Sequence, residues 1–145
     1  MNSSKTKNRE FSTFMVGNSL CGIDIEQIQE INRNFDFTRV PSSEEYIKGI
    51  LNLRGRIVTL IDLGKKIGIS SKGLSSESGN IVVSSGEEDV GLMVDSICDV
   101  VSEENAEIDT VPANTGDIRG RYFTSLLKTK NDLIGILDLD EVLGS

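Results

Sequence analysis

The sequence predicts an all-β protein: two similar modules in tandem, each of about five short strands curled into a small barrel. Three observations carry this. Residues 46–68, YIKGILNLRGRIVTLIDLGKKIG, hold two near-continuous apolar runs, 47–53 and 57–63, split by Arg54-Gly55-Arg56. Runs of this length with glycine at the break read as two buried strands joined by a tight hairpin. The second half of the chain also repeats the first. CGIDIEQIQEI (21–31) aligns without gaps on VGLMVDSICDV (90–100), VPSSEEYIKG (40–49) on VPANTGDIRG (111–120), and IVTLIDLGKKIG (57–68) on LIGILDLDEVLG (133–144). The offsets are 69, 71 and 76 residues, so order is kept and only loops change length. Finally, a polar Ser/Gly-rich stretch, 68–80, separates the copies as a linker loop.

Short strands avoid exposed edges best by curling into a barrel. A lone barrel of ~65 residues is marginal. Two should therefore pack on each other, and a groove at their junction is the natural binding site. The organisation expected is a disordered arm over 1–10, one subdomain over about 11–68, the linker, and a second subdomain over about 81–144.

Each element has its own local warrant. Residues 11–25 read as a hairpin turning at Gly17-Asn18-Ser19, because Cys21, Ile23 and Ile25 alternate with Gly22 and Asp24. Ile25, Ile28 and Ile31 lie three apart, which fits a turn of helix or a bulged strand. Val40-Pro41 is extended. Ser42-Ser43-Glu44-Glu45 has the spacing of a capping box opening a short helical turn. After the central hairpin, residues 62–67 read as a terminal helix with Asp62 as N-cap, Gly68 as C-cap and Lys65 and Lys66 in its last turn. Asp138 is the equivalent N-cap in the second copy. Gly22, Gly49, Gly91 and Gly120 mark bulges or close backbone approach.

Composition narrows the function. The formal net charge is -8, which argues against nucleic acid. Aromatics are 5% with no Trp, too few for the stacking platforms of a single-strand-binding barrel. The chain has no histidine. That removes Ser-His and Cys-His nucleophile pairs and most zinc sites, leaving only carboxylates or lysine to an enzyme. No close acidic pair or phosphate-binding glycine loop stands out, so no cofactor, metal or catalytic residue is expected. No apolar run reaches 18 residues and MNSSKTKNRE has no signal-peptide core. Cys21 and Cys98 lack CxxC spacing and read as small core residues of a cytosolic protein.

The candidate binding residues are those that break the repeat or edge the junction. Arg54 sits at a hairpin tip whose counterpart is Lys130-Asn131-Asp132, and Arg56 lies beside it. Taken alone, Arg54 is an exposed turn residue. Arginine also suits paired recognition of a carboxylate, and Glu30, ending an apolar segment, is a candidate partner. The Ile25, Ile28, Ile31 stripe is core by default, with Ile28 able to reach the groove from a barrel edge.

These same segments resemble the CheW coupling proteins of bacterial chemotaxis. N-L-R-G-x-I-V followed by I-D-L carries the resemblance, flanked by GIDIEQIQEI, VPSSEEYIKG, VGLMVDSICDVV and GILDLDEVLG over residues 11–143. The resemblance implies two five-stranded SH3-like barrels and a non-enzymatic adaptor. It would bridge chemoreceptor signalling tips to the regulatory domain of the histidine kinase CheA, in the cytoplasm at the inner face of the membrane, in arrays that can include rings of CheW-like proteins. It implies receptor contacts at Ile25, Ile28, Glu30, Ile31, Arg54, Gly91 and Ile97, by a helix-in-groove mode. It places kinase contacts at Lys48 and Gly49. Thr59 stands where the family frequently has proline, and the chain ends without the longer C-terminal helix of some members. Alternatives are a detached CheA-type regulatory domain, the adaptor half of an adaptor–receiver fusion, or a small tandem-barrel enzyme or ligand-binding protein.

Overall fold

Alternating or continuous apolar runs become strands wherever a glycine or polar turn lets the chain fold back. A computed structural model describes residues 9–42, 44–110 and 118–144. Its strands are β1 (Glu10–Val16), β2 (Ser19–Asp24), β3 (Ile28–Asn32), β4 (Ile47–Leu53), β5 (Arg56–Asp62), β6 (Gly79–Ser85), β7 (Glu88–Val94), β8 (Ser96–Ser102), β9 (Glu107–Thr110), β10 (Phe123–Lys128) and β11 (Leu133–Leu137). Two short helices, α1 (Leu63–Ile67) and α2 (Leu139–Leu143), follow β5 and β11. Asp62 caps α1 by accepting from the Lys65 N–H, and Asp138 caps α2 by accepting from the Glu141 N–H. Gly68 closes α1 with φ 84°, the left-handed geometry that favours glycine.

The strands form two SH3-like barrels, as the repeat implies, but the barrels do not divide at the linker. One sheet runs β3-β6-β7-β5-β4 and the other β8-β1-β2-β11-β10-β9. The N-terminal hairpin β1–β2 thus joins the C-terminal strands, while its repeat copy β6–β7 joins β3–β5. Each copy lends its first hairpin to the other. The two exchanges match in register. Gly22 of β2 pairs in parallel with Ile136 of β11, and Gly91 of β7 pairs in parallel with Leu60 of β5. The subdomain boundaries read from the repeat, 11–68 and 81–144, therefore describe sequence copies and not sheets. Similarity between copies says nothing about which copy a hairpin hydrogen-bonds.

The exchange explains where the core lies. Each barrel interior holds a small cluster: Leu51, Leu53, Val58 and Val82 in one, and Phe11, Leu127, Ile134 and Ile136 in the other. The largest cluster joins Phe14, Val16, Cys21 and Ile23 of β1–β2 to Ile81, Val83, Val90, Leu92 and Val94 of β6–β7, with α1 and α2 at its margins. The lent hairpins thus show one face to their barrel and the other to a shared junction. Gly22 and Gly91 sit on the inward faces. A Cβ at Gly22 would meet Ile136 Cδ1 at 3.1 Å, and one at Gly91 would meet Leu60 Cδ1 at 3.0 Å. Both mark close approach, as expected of them.

Some local expectations need correction. Tyr46 C=O accepts the Asp62 N–H and Tyr122 C=O accepts the Asp138 N–H, so β4 and β10 correspond at an offset of 76 residues. The bulges between Ile47 and Gly49 and between Phe123 and Ser125 agree. Gly49 is therefore matched by Ser125 and not by Gly120, five residues away from the sequence match. Residues 111–117, including the second proline, lie outside the described residues, as does the arm over 1–8. Arg9 and Glu10, placed in that arm, are ordered against Glu103 and in β1. Ser42 Oγ accepts from the Glu44 N–H at 3.1 Å and makes a turn without a helix. Cys21 is buried as expected, but Cys98 is exposed on β8.

Candidate functional site

The site begins where β2 becomes β3. Asp24 accepts from the Glu26 N–H and winds residues 25–27 into one tight helical turn. A bulge between Ile28 and Glu30 then re-aims β3. Both readings of the isoleucine stripe hold in succession: a turn, then a bulged strand. Ile28 is half-buried against the shared core, whereas Ile25 and Ile31 are 37% and 40% exposed.

The β4–β5 hairpin turns on two residues, Arg54 (φ 52°) and Gly55 (φ 86°). Positive φ at both positions is the signature of a type I′ turn, which suits the twist of the flanking strands. Asn52 Oδ1 pins it by accepting the Gly55 N–H at 2.9 Å. Among the described residues Arg54 is the only non-glycine with positive φ. Its guanidinium reaches Glu30 of β3 and forms an ion pair. Asn32 Nδ2 donates to the other Glu30 oxygen at 3.0 Å. The Asn32 amide first, and then Arg54, hold the Glu30 carboxyl below the usual carboxylate range.

A second polar group lies beside this pair. Arg56 Nε donates to Asp89 Oδ2 at 3.0 Å, and the same guanidinium donates to Gln29 Oε1. Gln29 Nε2 donates to Asp89 Oδ1 at 3.1 Å and to Ser84 Oγ. The Arg56 hydrogen bond is the main cause that lowers the Asp89 carboxyl. These four residues come from β3, β5, β6 and β7 and tie the strand bearing the stripe to the hairpin bearing Arg54. Sequence reasoning noticed Arg56 but missed Gln29, Ser84, Asp89 and Asn32. Their meeting depends on the sheet order, which no local pattern carries.

The remaining candidate residues are scattered. Ile97 is half-buried at the junction, over Gly79. Gly91 is buried in β7 beneath Leu60 and presents no surface. Lys48 is half-exposed at the β4 bulge. Gly49 is buried, with the Thr38 carbonyl so close that a Cβ would stand 2.2 Å from it. Both glycines are packing positions. Among the described residues no cluster of three or more acidic, Cys or His side chains could hold a metal ion, and no helix is long and apolar enough to cross a membrane.

The family model for the CheW-like domain matches residues 10–145. The chain belongs to the CheW-like domain family. Its CheW-like relatives include the chemotaxis protein CheW of Klebsiella aerogenes, 32% identical over 143 residues that cover 97% of this chain and 85% of that protein. The Bacillus subtilis chemotaxis protein CheW is 31% identical, covering 90% and 83%. The crystal structure of the scaffolding protein CheW from Thermoanaerobacter tengcongensis superposes with a TM-score of 0.83 at 30% identity, covering 96% of this chain and 94% of that one. The CheW-like two-barrel arrangement is thus shared over nearly the whole chain.

Proposed function

We propose that this protein is a non-enzymatic adaptor in chemotaxis signal transduction, coupling chemoreceptor signalling tips to the regulatory domain of the kinase CheA and helping to build the signalling array. The observation that carries this reading is Arg54. A type I′ turn favours Asn or Gly at this position, and a larger side chain there is strained. Strain held at one exposed residue points to a use for that residue. Here the use is a charged pair with Glu30 beside the apolar stripe of Ile25, Ile28 and Ile31. Apolar residues give affinity for a helical receptor tip, and the charged pair fixes its register. Ile97 extends the same surface across the junction. The kinase domain would meet a barrel end, near Lys48. The adaptor acts in the cytoplasm, held at the inner membrane face through its receptors.

The test is a pull-down against a receptor cytoplasmic tip and the CheA regulatory domain, with Arg54→Glu beside wild type. The reading expects wild type to retain both partners and Arg54→Glu to lose the receptor tip while keeping its fold by circular dichroism. Contacts of this kind bury of order 1,000–1,600 Å² and are weak singly, so the assay needs high protein concentration. If wild type binds neither partner, the reading fails.

A further inference from the structure

A line of amides runs inward from the surface ion pair. Arg54 donates to Glu30 Oε1, and Asn32 Nδ2 donates to Glu30 Oε2 at 3.0 Å. Behind Asn32 stands Asn80 of β6, its cross-strand partner, which is fully buried. Asn80 Nδ2 donates to Asn34 C=O at 2.6 Å and to Asn32 Oδ1 at 3.3 Å. Asn32 Oδ1 also accepts the Asn34 N–H at 2.9 Å.

This pattern leaves the Asn32 amide one orientation. Its oxygen faces two N–H donors, so its NH2 must face Glu30. Turned over, the NH2 would meet those donors and the oxygen would meet the Glu30 carboxylate. Asn80 thus decides, without touching Glu30, that a donor is presented to it.

The internal repeat shows that the fold does not need amides here. Asn32 paired with Asn80 on β3 and β6 corresponds, at the 69-residue offset, to Val101 paired with Phe11 on β8 and β1. Phe11 is buried and Val101 packs against its cluster. An apolar pair therefore serves the same cross-strand position in the second barrel. Burying an amide is costly by comparison, even when it is hydrogen-bonded. The costly pair stands in the barrel that carries Arg54, while the other hairpin tip reads Lys130-Asn131-Asp132.

We propose that Asn32 and Asn80 are positioning residues for partner recognition, holding the Glu30 carboxylate, and through it the Arg54 guanidinium, in one geometry on the barrel surface. This rests on the adaptor reading, in which that ion pair sets the register of the receptor tip. A charged group fixed before binding loses less freedom on contact, and so discriminates better between partners.

The test is a double-mutant cycle between positions 32 and 30, read as binding of a receptor cytoplasmic tip, with binding of the CheA regulatory domain measured beside it. Asn32→Val installs the residue of the second barrel. It should weaken receptor-tip binding about fivefold in the otherwise native protein and less than about twofold beside Glu30→Ala, with kinase-domain binding and circular dichroism unchanged. Asn80→Leu, which keeps the shape of the side chain, should behave the same way; should it not fold, Asn32→Val decides. The asparagines also hold the chain leaving β3, and the cycle separates that role. An equal loss beside Glu30→Ala, a joint loss of both partners, or no loss at all would overturn the proposal. The Glu30 carboxyl is also titrated by 13C NMR with no partner present, where Asn32→Val and Asn80→Leu should each raise its midpoint. A protein that binds no receptor tip would sink the adaptor reading. An unmoved midpoint would then sink the positioning as well, and a raised one would keep it.

Discussion

Arg54 and Glu30 form an ion pair between the opposite margins of one sheet: Glu30 lies on β3, one edge strand, and Arg54 at the tip of β4, the other. The bridge between Thr38 and Ile50 brings the chain after β3 alongside β4 in the same way. The ion pair is thus a product of barrel closure.

Exposed ion pairs contribute about 0–1 kcal/mol, so this one is not kept for stability. The left-handed backbone of Arg54 opposes stability as well. Arg54→Asn should therefore leave urea stability unchanged or raise it by up to about 1 kcal/mol, because asparagine suits the turn. The same variant should weaken receptor binding. A clear loss of stability with intact binding would give Arg54 a purely structural role.

The Glu30 carboxyl titrates below its usual value of 4.5. A carboxyl lowered in the folded state adds stability that is fully present above the unfolded value and lost as pH falls through the folded one. The window is therefore acidic, below about pH 4.5, and its size is no more than about 1 kcal/mol. An NMR titration of the Glu30 side chain should find a low midpoint. Asn32→Ala and Arg54→Ala should each move that midpoint up, because the Asn32 amide and the Arg54 hydrogen bond and charge all lower it.

How far the sequence could be read depends on what each pattern reports. Apolar periodicity reports burial, so β1, β2, β4, β5 and both capped helices were legible. The 69-residue and 76-residue matches were legible because both copies must make the same bulges and caps. The 71-residue match misled at its end: Ile-x-Gly recurs at 47–49 and 118–120 without structural equivalence, and Tyr46 corresponds to Tyr122. Cys98 was misplaced because the β8 pairing carries a register shift opposite Ser12 and Phe14, after which parity no longer predicts the facing side. Of the site, Arg54 and Glu30 were legible as an unusual turn residue and a strand-end acid. The Gln29–Arg56–Ser84–Asp89 group was not, since it needs four strands in an order that only the hairpin exchange produces.

Glycines rank by what surrounds them. A Cβ at Gly49 meets backbone, the Thr38 carbonyl, while a Cβ at Gly91 meets the movable tip of Leu60. Gly49→Ala should cost about 2–3 kcal/mol and Gly91→Ala about 1 kcal/mol in urea unfolding. Lost kinase binding in Gly49→Ala would then follow the fraction unfolded, and osmolyte should restore it.

The thiols separate by burial. Burial pushes the Cys21 thiol up to about 12, so it holds almost no thiolate at neutral pH. Cys98 is exposed. Ellman's reagent should titrate one thiol in the native protein, and Cys98→Ser should remove it. The second thiol should appear only in denaturant. Two fast thiols would contradict the buried placement of Cys21.

The exchange of hairpins makes the strongest claim on folding. If the halves were independent barrels, residues 10–78 would carry β1–β5 and fold alone. In this topology that piece holds β1–β2 without β11 and β8, and β5 without β7. Its parallel pairings are all missing, and the large cluster loses β6 and β7. Each half should therefore be unfolded by near-ultraviolet and NMR criteria, while the two mixed halves should restore native signals. In the intact protein Leu92→Ala, which opens the shared cluster, should cost about 2–5 kcal/mol and leave a single unfolding transition. Two transitions, or a folded isolated half, would show that the barrels fold as the sequence copies and not as the exchanged sheets.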